Sequence, residues 1–289
     1  MPRARIAIAS CDKYDRDKVD DALLAEALRA RDCEAEPVAW DDEGVDWGAF
    51  DLCLVSSTWD YNRKHREFLE WARRVEAETV LRNRAATIAW NSDKTYLREL
   101  AGGGVRIVPT VWVERGSEAQ LDEILAEQSW QEAVVKPVVD LGAENLRRVR
   151  AGASSDALDA VLRDHGAMVQ PFLPSLEERG ELSLIYVGGR LTHAVRKRAA
   201  PGDFRVQSIW GGTVAREEPG SAEVELAERA LAQLAEPPLY ARVDLVAGPD
   251  GAPCLIELEL IEPNLYLVEN PPAADALAEA ALLGIDVDA

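Results

Sequence analysis

Short apolar runs alternate with amphipathic segments along the first third of the chain. The pattern predicts strands at 5–10, 36–40 and 50–55 and helices at 19–31 and 66–76. Such alternation is typical of βαβ units and a parallel sheet. Ligands of such a sheet bind beyond the carboxyl ends of its strands, where Ser57 to Tyr61 lies. This turn is therefore a candidate substrate contact, with a simple capped loop as the alternative.

The rest of the pattern mixes hairpins with helices. Asn91-Ser92-Asp93 predicts the N-cap of a helix that continues to Leu100. The pattern further predicts strands at 105–113, 130–137 and 168–173, helices at 154–164, 223–234 and 273–283, and hairpins at 182–196 and 240–261. We therefore expect an α/β protein with an N-terminal α/β substrate domain at 1–88, a central lobe at 89–173 and a C-terminal lobe at 174–289.

Composition narrows the class of protein. The chain has 289 residues and a formal net charge of −20. A surface this negative repels phosphate backbones and anionic lipids, which argues against a nucleic-acid or membrane partner. The apolar runs are shorter than the ~20 residues of a membrane span. The first residues do not resemble a signal peptide, and the cysteines are scattered, so we expect a cytoplasmic protein.

The last predicted hairpin concentrates acidic residues. Glu257 and Glu259 are two positions apart, so both side chains of a strand would point to one face. A turn near 250–251 places Asp244 opposite Glu257 and Arg242 opposite Glu259. Three carboxylates on one patch suit Mg²⁺, which prefers hard oxygen ligands. The alternative is a solvated face on which Arg242 bridges Glu259, and the spacing does not separate the two.

Lysine is rare in this chain, and three lysines lie in patterned segments. Lys94 falls in the first turn of a predicted helix, Lys136 in an apolar strand and Lys197 past the end of a strand. Singly, each is more often a surface residue. With the carboxylate patch, however, they predict a site that neutralises a polyphosphate from both sides. The extended segment 169–173 would then offer backbone groups to an adenine ring.

These residues stand in an order that resembles a known family. The order is Asn-Ser-Asp-Lys94, Val-Val-Lys136-Pro, Gln170-Pro-Phe-Leu173, Gly-Glu181-Leu-Ser, Lys197, Gly-Asp-Phe-Arg205, Gly211-Gly212-Thr213, Asp244 and Glu257-Leu-Glu259. It resembles the ATP-grasp ligases, in the glutathione-synthetase-like branch and nearest to its O-ureido-serine cyclo-ligases of cycloserine biosynthesis. The resemblance covers nearly the whole chain, and so long a shared order is more specific than any single motif.

The resemblance implies a nucleotide site. Lys94 and Lys136 match the two lysines that hold the nucleotide phosphates. Gln170, Phe172 and Leu173 match the interdomain linker that lies against adenine, mostly through its main chain. The implied fold is the α/β ATP-grasp fold, in which two lobes enclose ATP with Mg²⁺ or Mn²⁺ and an open parallel-sheet domain precedes them.

The resemblance also implies the reacting centre. Glu181 matches an acid near the ribose or the second lysine, and Lys197 and Arg205 match the catalytic cations that steady the γ-phosphate and the acyl-phosphate. The matched metal ligands are Asp244, Glu257 and Glu259. Many relatives carry Asn at the last of these positions, and Asn264 is a further candidate for metal or substrate binding.

The implied activity is ATP-dependent carboxylate–amine ligation. Phosphoryl transfer to the carboxylate of an amino acid or small peptide-like metabolite gives an acyl-phosphate and ADP, and an amine then forms an amide-type bond and releases phosphate. The implied partners are a small-molecule carboxylate and amine, and related enzymes often form homodimers. The segment Asp203–Gln207, like Ser57–Tyr61, is a candidate for contacting the substrates.

Two alternatives to this activity stay open. One is intramolecular ring closure of the cycloserine type. The other is a non-catalytic ATP-binding module, because relatives carry a glycine-rich loop where residues 138–146 contain one glycine and two acids. Backbone amides hold phosphate best where side chains are absent, and Asp140 or Glu144 would oppose a γ-phosphate.

Overall fold

The computed structural model describes residues 4–11, 18–153, 155–283 and 285, and three sheets organise it. The strands of the first sheet are β1 (Arg5–Ser10), β2 (Glu34–Ala39), β3 (Leu52–Val55) and β4 (Val80–Arg82). They are parallel in the order β2-β1-β3-β4, which confirms the predicted open parallel sheet. Its helices are α1 (Val19–Arg29), α2 (His65–Glu78) and α3 (Ala85–Asn91), and α4 (Tyr96–Gly102) follows.

The second sheet is antiparallel and occupies the middle of the chain. Its strands are β5 (Val111–Val113), β6 (Glu132–Pro137), β7 (Arg147–Arg150) and β8 (Ala167–Pro171), in the order β5-β8-β6-β7. The helices of this region are α5 (Leu121–Gln128) and α6 (Ala157–Leu162). The start of the helix predicted at 154–164 lies outside the described residues, since residue 154 is not among them.

The third sheet is antiparallel and carries most of the charged motif residues. Its strands are β9 (Glu181–Val187), β10 (Arg190–Arg198), β11 (Thr213–Arg216), β12 (Tyr240–Ala247) and β13 (Pro253–Glu259), in the order β11-β10-β9-β12-β13. The helices α7 (Pro174–Arg179), α8 (Ser221–Leu231) and α9 (Pro272–Leu282) complete the chain. Within the described ranges, no helix is both long and apolar enough to cross a bilayer. The domain boundaries at 88/89 and 173/174 stay predictions.

The last hairpin has the predicted register. Asp244 pairs with Glu257 and Arg242 pairs with Glu259 across β12 and β13. The register shifts by one residue just after Asp244, so the bulge lies beyond the acidic pairs. The turn position was therefore sufficient to place these four side chains.

Four local predictions are wrong. Lys94 precedes α4 rather than lying in its first turn, and Lys197 lies within β10 rather than past the end of a strand. The strand predicted at 105–113 is reduced to β5, because Pro109 has no N–H to donate to a ladder. Ile107 instead forms an isolated bridge with Leu255. Asn91 does not cap the next helix, since it is the last residue of α3 and α4 begins at Tyr96.

The side chain of Asn91 serves β13 instead, together with Tyr96. β13 is the outer strand of its sheet. Asn91 Nδ2 donates to Leu258 O and Asn91 Oδ1 accepts from Leu260 N, both at 2.8 Å. The Tyr96 hydroxyl donates to Leu258 O at 2.8 Å and accepts from Leu258 N at 2.9 Å. Because each unpaired buried backbone group costs ~1–3 kcal/mol, these bonds hold the strand that carries the predicted metal ligands.

The first and third sheets are joined next to that strand. The Tyr240 hydroxyl on β12 donates to Val55 O at the carboxyl end of β3, at 2.5 Å. The Asp20 carboxylate on α1 accepts the backbone N–H groups of Leu265 at 2.7 Å and Leu267 at 2.9 Å. The carboxyl edge of the parallel sheet therefore borders the segment that follows β13.

Candidate active site

A cleft between the sheets gathers the predicted site residues. Its walls include Lys94, Lys136, Gln170, Phe172, Leu173, Glu181, Lys197, Arg205, Asp244, Glu257, Glu259 and Asn264. These residues come from elements far apart in the chain, and the structure brings all of them to one place. The individual roles that the resemblance implies for them stay predictions.

We call Glu181, Lys197, Arg242, Asp244 and Glu259 the charged floor of the cleft. Lys197 Nζ lies 3.1 Å from Asp244 Oδ2 and also pairs with Glu181. Arg242 Nη2 lies 3.0 Å from Asp244 Oδ2 and pairs with Glu259. Arg242 therefore does bridge Glu259, but on a mostly buried face rather than a solvated one.

The acids of the charged floor differ in their tendency to ionise. Burial raises the pKa of Glu181 to about 7 against the attraction of Lys197, and it raises the pKa of Glu259 to about 7 against Arg242. Burial also opposes the ionisation of Asp244, but Arg242 and Lys197 outweigh it and hold the pKa of Asp244 well below its usual range. Asp244 is thus the fixed anion of the floor, whereas its two neighbours titrate near neutral pH.

Lys94 and Glu257 form a separate ion pair beside the floor. Lys94 Nζ lies 3.1 Å from Glu257 Oε1 and donates to Asp140 O at 2.6 Å. Burial opposes charging of Lys94, but Glu257 and Asp140 outweigh it and raise the pKa of the ammonium. Burial likewise opposes ionisation of Glu257, and Lys94 with Lys136 lowers its pKa. Both members of the pair are therefore charged at neutral pH.

Lys136 is the lysine of the cleft that lacks a partner. It lies on β6 with 5% of its surface exposed, and its ammonium forms no hydrogen bond or ion pair with any residue in the described part of the chain. Burial lowers its pKa, and the nearby Lys94 adds to this effect against the attraction of Glu257. A buried ammonium without a partner is costly, so the site favours an anion from outside the chain.

We call Val108, Phe172, Leu173, Val246 and Ile256 the apolar wall of the cleft. The Phe172 ring is fixed from two sides. The Arg148 guanidinium carbon lies 3.5 Å from its ring centroid, and Phe204 approaches edge-on with ring centroids 6.0 Å apart. A flat apolar surface of this kind suits an aromatic ligand.

Two loops line the cleft, at 138–146 and 203–210, and they touch each other. Trp210 Nε1 donates to Gly142 O at 2.9 Å. The guanidinium carbon of Arg205 lies 3.5 Å from the centroid of the Trp210 ring, and Arg205 Nη2 lies 2.7 Å from Asp203 Oδ2. Arg205 is therefore placed at the cleft but engaged with its own loop.

The two acids of the glycine-poor loop also have partners. Asn145 Nδ2 donates to Asp140 Oδ1 at 2.8 Å. Arg63, from the turn before α2, lies 3.4 Å from Glu144 Oε2. The pKa of Asp140 is raised by burial. The charge of these acids toward a phosphate is thus reduced by burial in one case and by an arginine in the other.

The predicted metal ligands face the cleft without converging on one point. Among the described residues, no group of three or more His, Cys, Asp or Glu side chains is placed to hold a metal ion. Each of Asp244, Glu257 and Glu259 contacts a cation instead, either Lys94 or Arg242. Their hard oxygen donors fit the chemistry of Mg²⁺. The metal role of these three acids stays a prediction.

Glu262 was not among the residues predicted for the site, and Arg242 was predicted only as a possible bridge to Glu259. Glu262 lines the cleft with 5% of its surface exposed. The sequence feature that could have identified Glu262 is its position directly after the apolar pair at 260–261. Of the predicted substrate turn, Trp59 lines the cleft, whereas the Ser57 hydroxyl bonds to the buried carboxylate of Asp21. The Ser57 hydroxyl is therefore held by α1 and does not cap the next helix, α2, whose N-cap has no side-chain hydrogen bond.

Comparison with known proteins assigns this fold and site to a class. The protein-family model for the ATP-grasp domain of prokaryotic glutathione synthetase matches residues 96–250, more than half of the chain. The model for the N-terminal domain of the D-cycloserine synthetase DcsG matches residues 6–83. The chain belongs to the ATP-grasp ligases.

Individual relatives agree with this class. The chain is 31% identical to the cycloserine biosynthesis protein DcsG of Streptomyces lavendulae over 272 residues, which cover 89% of this chain and 91% of that protein. It is 32% identical to the glutathione synthetase of Prochlorococcus marinus (strain MIT 9313) over 226 residues, 75% and 68% of the two chains. The crystal structure of D-cycloserine synthetase DcsG matches with a TM-score of 0.87 and 29% identity, covering 96% of this chain and 98% of that chain. The predicted ATP-grasp fold, the predicted branch and the prediction of an ATP-dependent ligase are confirmed.

Proposed function

We propose that this ligase phosphorylates a small carboxylate with ATP and joins the resulting acyl-phosphate to an amine. The carboxylate belongs to an amino acid or a small peptide-like metabolite, and the products are an amide-type bond, ADP and phosphate. The observation that carries the proposal is the buried ammonium of Lys136, which lies beside the charged floor and has no partner among the described residues. A cation held without an anion is suited to a phosphate chain.

The nucleotide is assigned to the space between the apolar wall and the lysines. Phe172, Leu173 and the main chain at Gln170 would hold adenine, and Lys94 with Lys136 would hold the phosphates. Glu181 is assigned to contact either the ribose or Lys136, the second of the two phosphate-binding lysines. This division is supported by chemistry, because the wall offers apolar surface and the lysines offer charge in the same cleft.

Lys197 and Arg205 are assigned to the reacting phosphoryl group. Lys197 is fixed between Asp244 and Glu181 and reaches the cleft from β10. Arg205 would have to exchange its contact with Asp203 for the phosphoryl group. Fixed cations lower the free energy of a phosphoryl transition state because they need no reorganisation when charge moves.

The metal is assigned to two acids of the charged floor and to Glu257 beside it. Asp244, Glu257 and Glu259 would hold Mg²⁺ or Mn²⁺, with Asn264 as an additional ligand or a substrate contact. When bound, the ion would neutralise charge on the phosphates. Its binding would require Lys94 and Arg242 to give up their present carboxylate partners.

A second candidate function is intramolecular ring closure. It is favoured by the N-terminal match to D-cycloserine synthetase at residues 6–83, since that region borders the cleft through Trp59. The non-catalytic module has less support, because the two acids of the loop at 138–146 are engaged within the protein. We further propose that no nucleic acid or membrane is a partner, because a net charge of −20 repels phosphate backbones and anionic lipids. A homodimer is proposed because related enzymes often form one, and a cytoplasmic location because the cysteines are scattered.

The test is substrate-dependent ADP release. The protein is incubated with Mg-ATP and a panel of amino acids, singly and in pairs, and ADP, AMP and phosphate are measured. ADP release that depends on an amino acid supports the ligase, and cyclisation of a single substrate supports the second candidate. Tight ATP binding without turnover would support the module, and AMP release would contradict phosphoryl transfer.

The variant Lys136→Met tests in this assay whether the buried ammonium of Lys136 binds phosphate. The methionine keeps the shape of the side chain and removes the charge, so ADP release should fall ~100-fold or more. Thermal unfolding should shift little or upward, because a buried unpaired charge is lost. Unchanged ADP release in this variant would exclude Lys136 as a phosphate ligand.

A further inference from the structure

Glu262 is a buried acid that the proposed chemistry does not use. It lies three residues after the end of β13 and lines the cleft. Only 5% of its surface is exposed. Its Oε2 atom has no hydrogen-bond partner in the described part of the chain. Buried polar atoms are almost always paired, so an unpaired carboxyl oxygen in a cleft requires an explanation.

The other acids of the cleft make this exception clear. Glu257 contacts Lys94, Glu259 contacts Arg242, and Glu181 contacts Lys197. The cations of the cleft are thus committed to other carboxylates or, for Lys136, assigned to phosphate. Glu262 therefore has an acceptor available for a donor that the described residues do not supply.

The position of Glu262 distinguishes it from the nucleotide contacts. Trp59 Nε1 donates to Glu262 O at 2.9 Å, which ties this segment to the loop after β3. Trp59 and Asn62, both from the N-terminal sheet region, line the same cleft. Glu262 thus lies where the parallel sheet borders the cleft, and the residues assigned to adenine lie at the end of β8.

A second unpaired acceptor faces the same cleft. Gln207 lies in the segment predicted to contact substrate, and its buried Oε1 atom has no hydrogen-bond partner among the described residues. A carboxyl oxygen and an amide oxygen both accept hydrogen bonds. Burial, followed by the charge of Glu259, raises the pKa of Glu262 well above its usual range, so a bound cation would favour its ionised form. A ligand group with several N–H donors and a positive charge fits this setting.

We propose that Glu262 binds the ammonium group of the substrate whose carboxylate is activated. This inference rests on the proposed ligase function and deepens it, because it names the residue that recognises the α-ammonium group of the proposed amino acid substrate. The ammonium bound at Glu262 is not the attacking nitrogen, which must be neutral to react. Glu262 is thus a substrate-specificity residue.

The first experiment measures discrimination in the full-length protein. ADP release is measured with alanine and serine of both hands and with lactate and glycerate, their 2-hydroxy analogues. The wild type should favour the amino acids. Glu262→Gln should raise the amino acid concentration needed for half-maximal rate by ~10-fold to 100-fold, the loss expected for a hydrogen bond to a charged group. The same variant should leave the KM for ATP unchanged and abolish the preference over the hydroxy acids.

A second measurement does not depend on turnover. Thermal unfolding is followed with glycine and with glycolate, which has a hydroxyl group in place of the ammonium group. Glycine should raise the Tm of the wild type and not of Glu262→Gln, and glycolate should raise neither. If no carboxylate elicits ADP release, the ligase proposal fails while this arm still decides the role of Glu262.

The control variants are measured in the same ADP-release and thermal-unfolding assays. Glu279→Gln changes an exposed acid on α9 and should behave as wild type in both assays. Glu262→Ala provides a second variant, which removes the acceptor completely. Retained preference for amino acids in both Glu262 variants, or an equal glycine effect on Tm in the wild type and the variants, would overturn the proposal. So would the absence of any glycine effect on the wild type.

Discussion

The charged floor and the apolar wall face the same cleft, but different forces hold them in place. The floor depends on specific pairs, since Arg242 and Lys197 each serve two acids and the loss of either cation would leave two buried acids without that partner. The wall depends on contact area, which is not directional. Changes to the charged side should therefore alter turnover, and changes to the wall should alter nucleotide affinity.

The difference also concerns the response to ligands. The pKa values of Glu181 and Glu259 lie at about 7, because burial raises them against their cationic partners. An incoming metal or phosphate would shift these equilibria, whereas the wall has no titrating group. The floor is thus an adjustable electrostatic surface, and the wall is a fixed shape.

The largest effect is expected from Glu257→Ala, beside the floor. The change removes a predicted metal ligand and leaves the Lys94 ammonium without its carboxylate, so the rate of ADP release should fall ~1,000-fold. ADP release at saturating Mg-ATP measures this effect, and circular dichroism checks that the fold is retained. Glu279→Ala, an exposed change on α9, is the matched control and should keep its rate. Turnover that survives in Glu257→Ala would refute the metal assignment.

The next effect concerns the hydrogen bonds that hold the strand carrying Glu257 and Glu259, rather than the charges of these residues. Asn91→Ala leaves Leu258 O with one partner fewer and Leu260 N without its side-chain acceptor, on the strand that carries Glu257 and Glu259. We expect a loss of ~2 kcal/mol in the free energy of unfolding. Urea denaturation measures it, with Gln128→Ala as an exposed amide control. A loss no larger than that of the control would show that these bonds do not stabilise β13.

The contrast between Glu257 and Asn91 shows what the sequence could predict. The register of Asp244 and Glu257 follows from a local turn, so counting from residues 250–251 was enough. The motif order placed the predicted site residues in one cleft because the fold family fixes their elements. Local geometry and a long shared motif order are the properties that a single chain displays directly.

The missed features depend on contacts between distant segments. Asn91 resembles a helix cap in sequence, and its bonds to β13 join residues 167 and 169 positions apart. The pairing of Lys94 with Glu257 and the unpaired oxygen of Glu262 arise in the same way. No spacing rule reaches across such separations, because tertiary packing decides which polar groups meet.

The smallest effect should come from the apolar wall. Phe172→Ala removes the ring that Arg148 and Phe204 hold in place, so the KM for ATP should rise about 10-fold, within the ~1–3 kcal/mol typical of stacking between a base and an aromatic side chain. The kcat should stay within ~2-fold, because no charge near the phosphates changes. Phe172→Leu keeps apolar area without the aromatic face, so its KM for ATP should lie between those of the wild type and Phe172→Ala. If kcat instead collapses while KM holds, the wall takes part in positioning the reacting groups, and its separation from the charged floor is wrong.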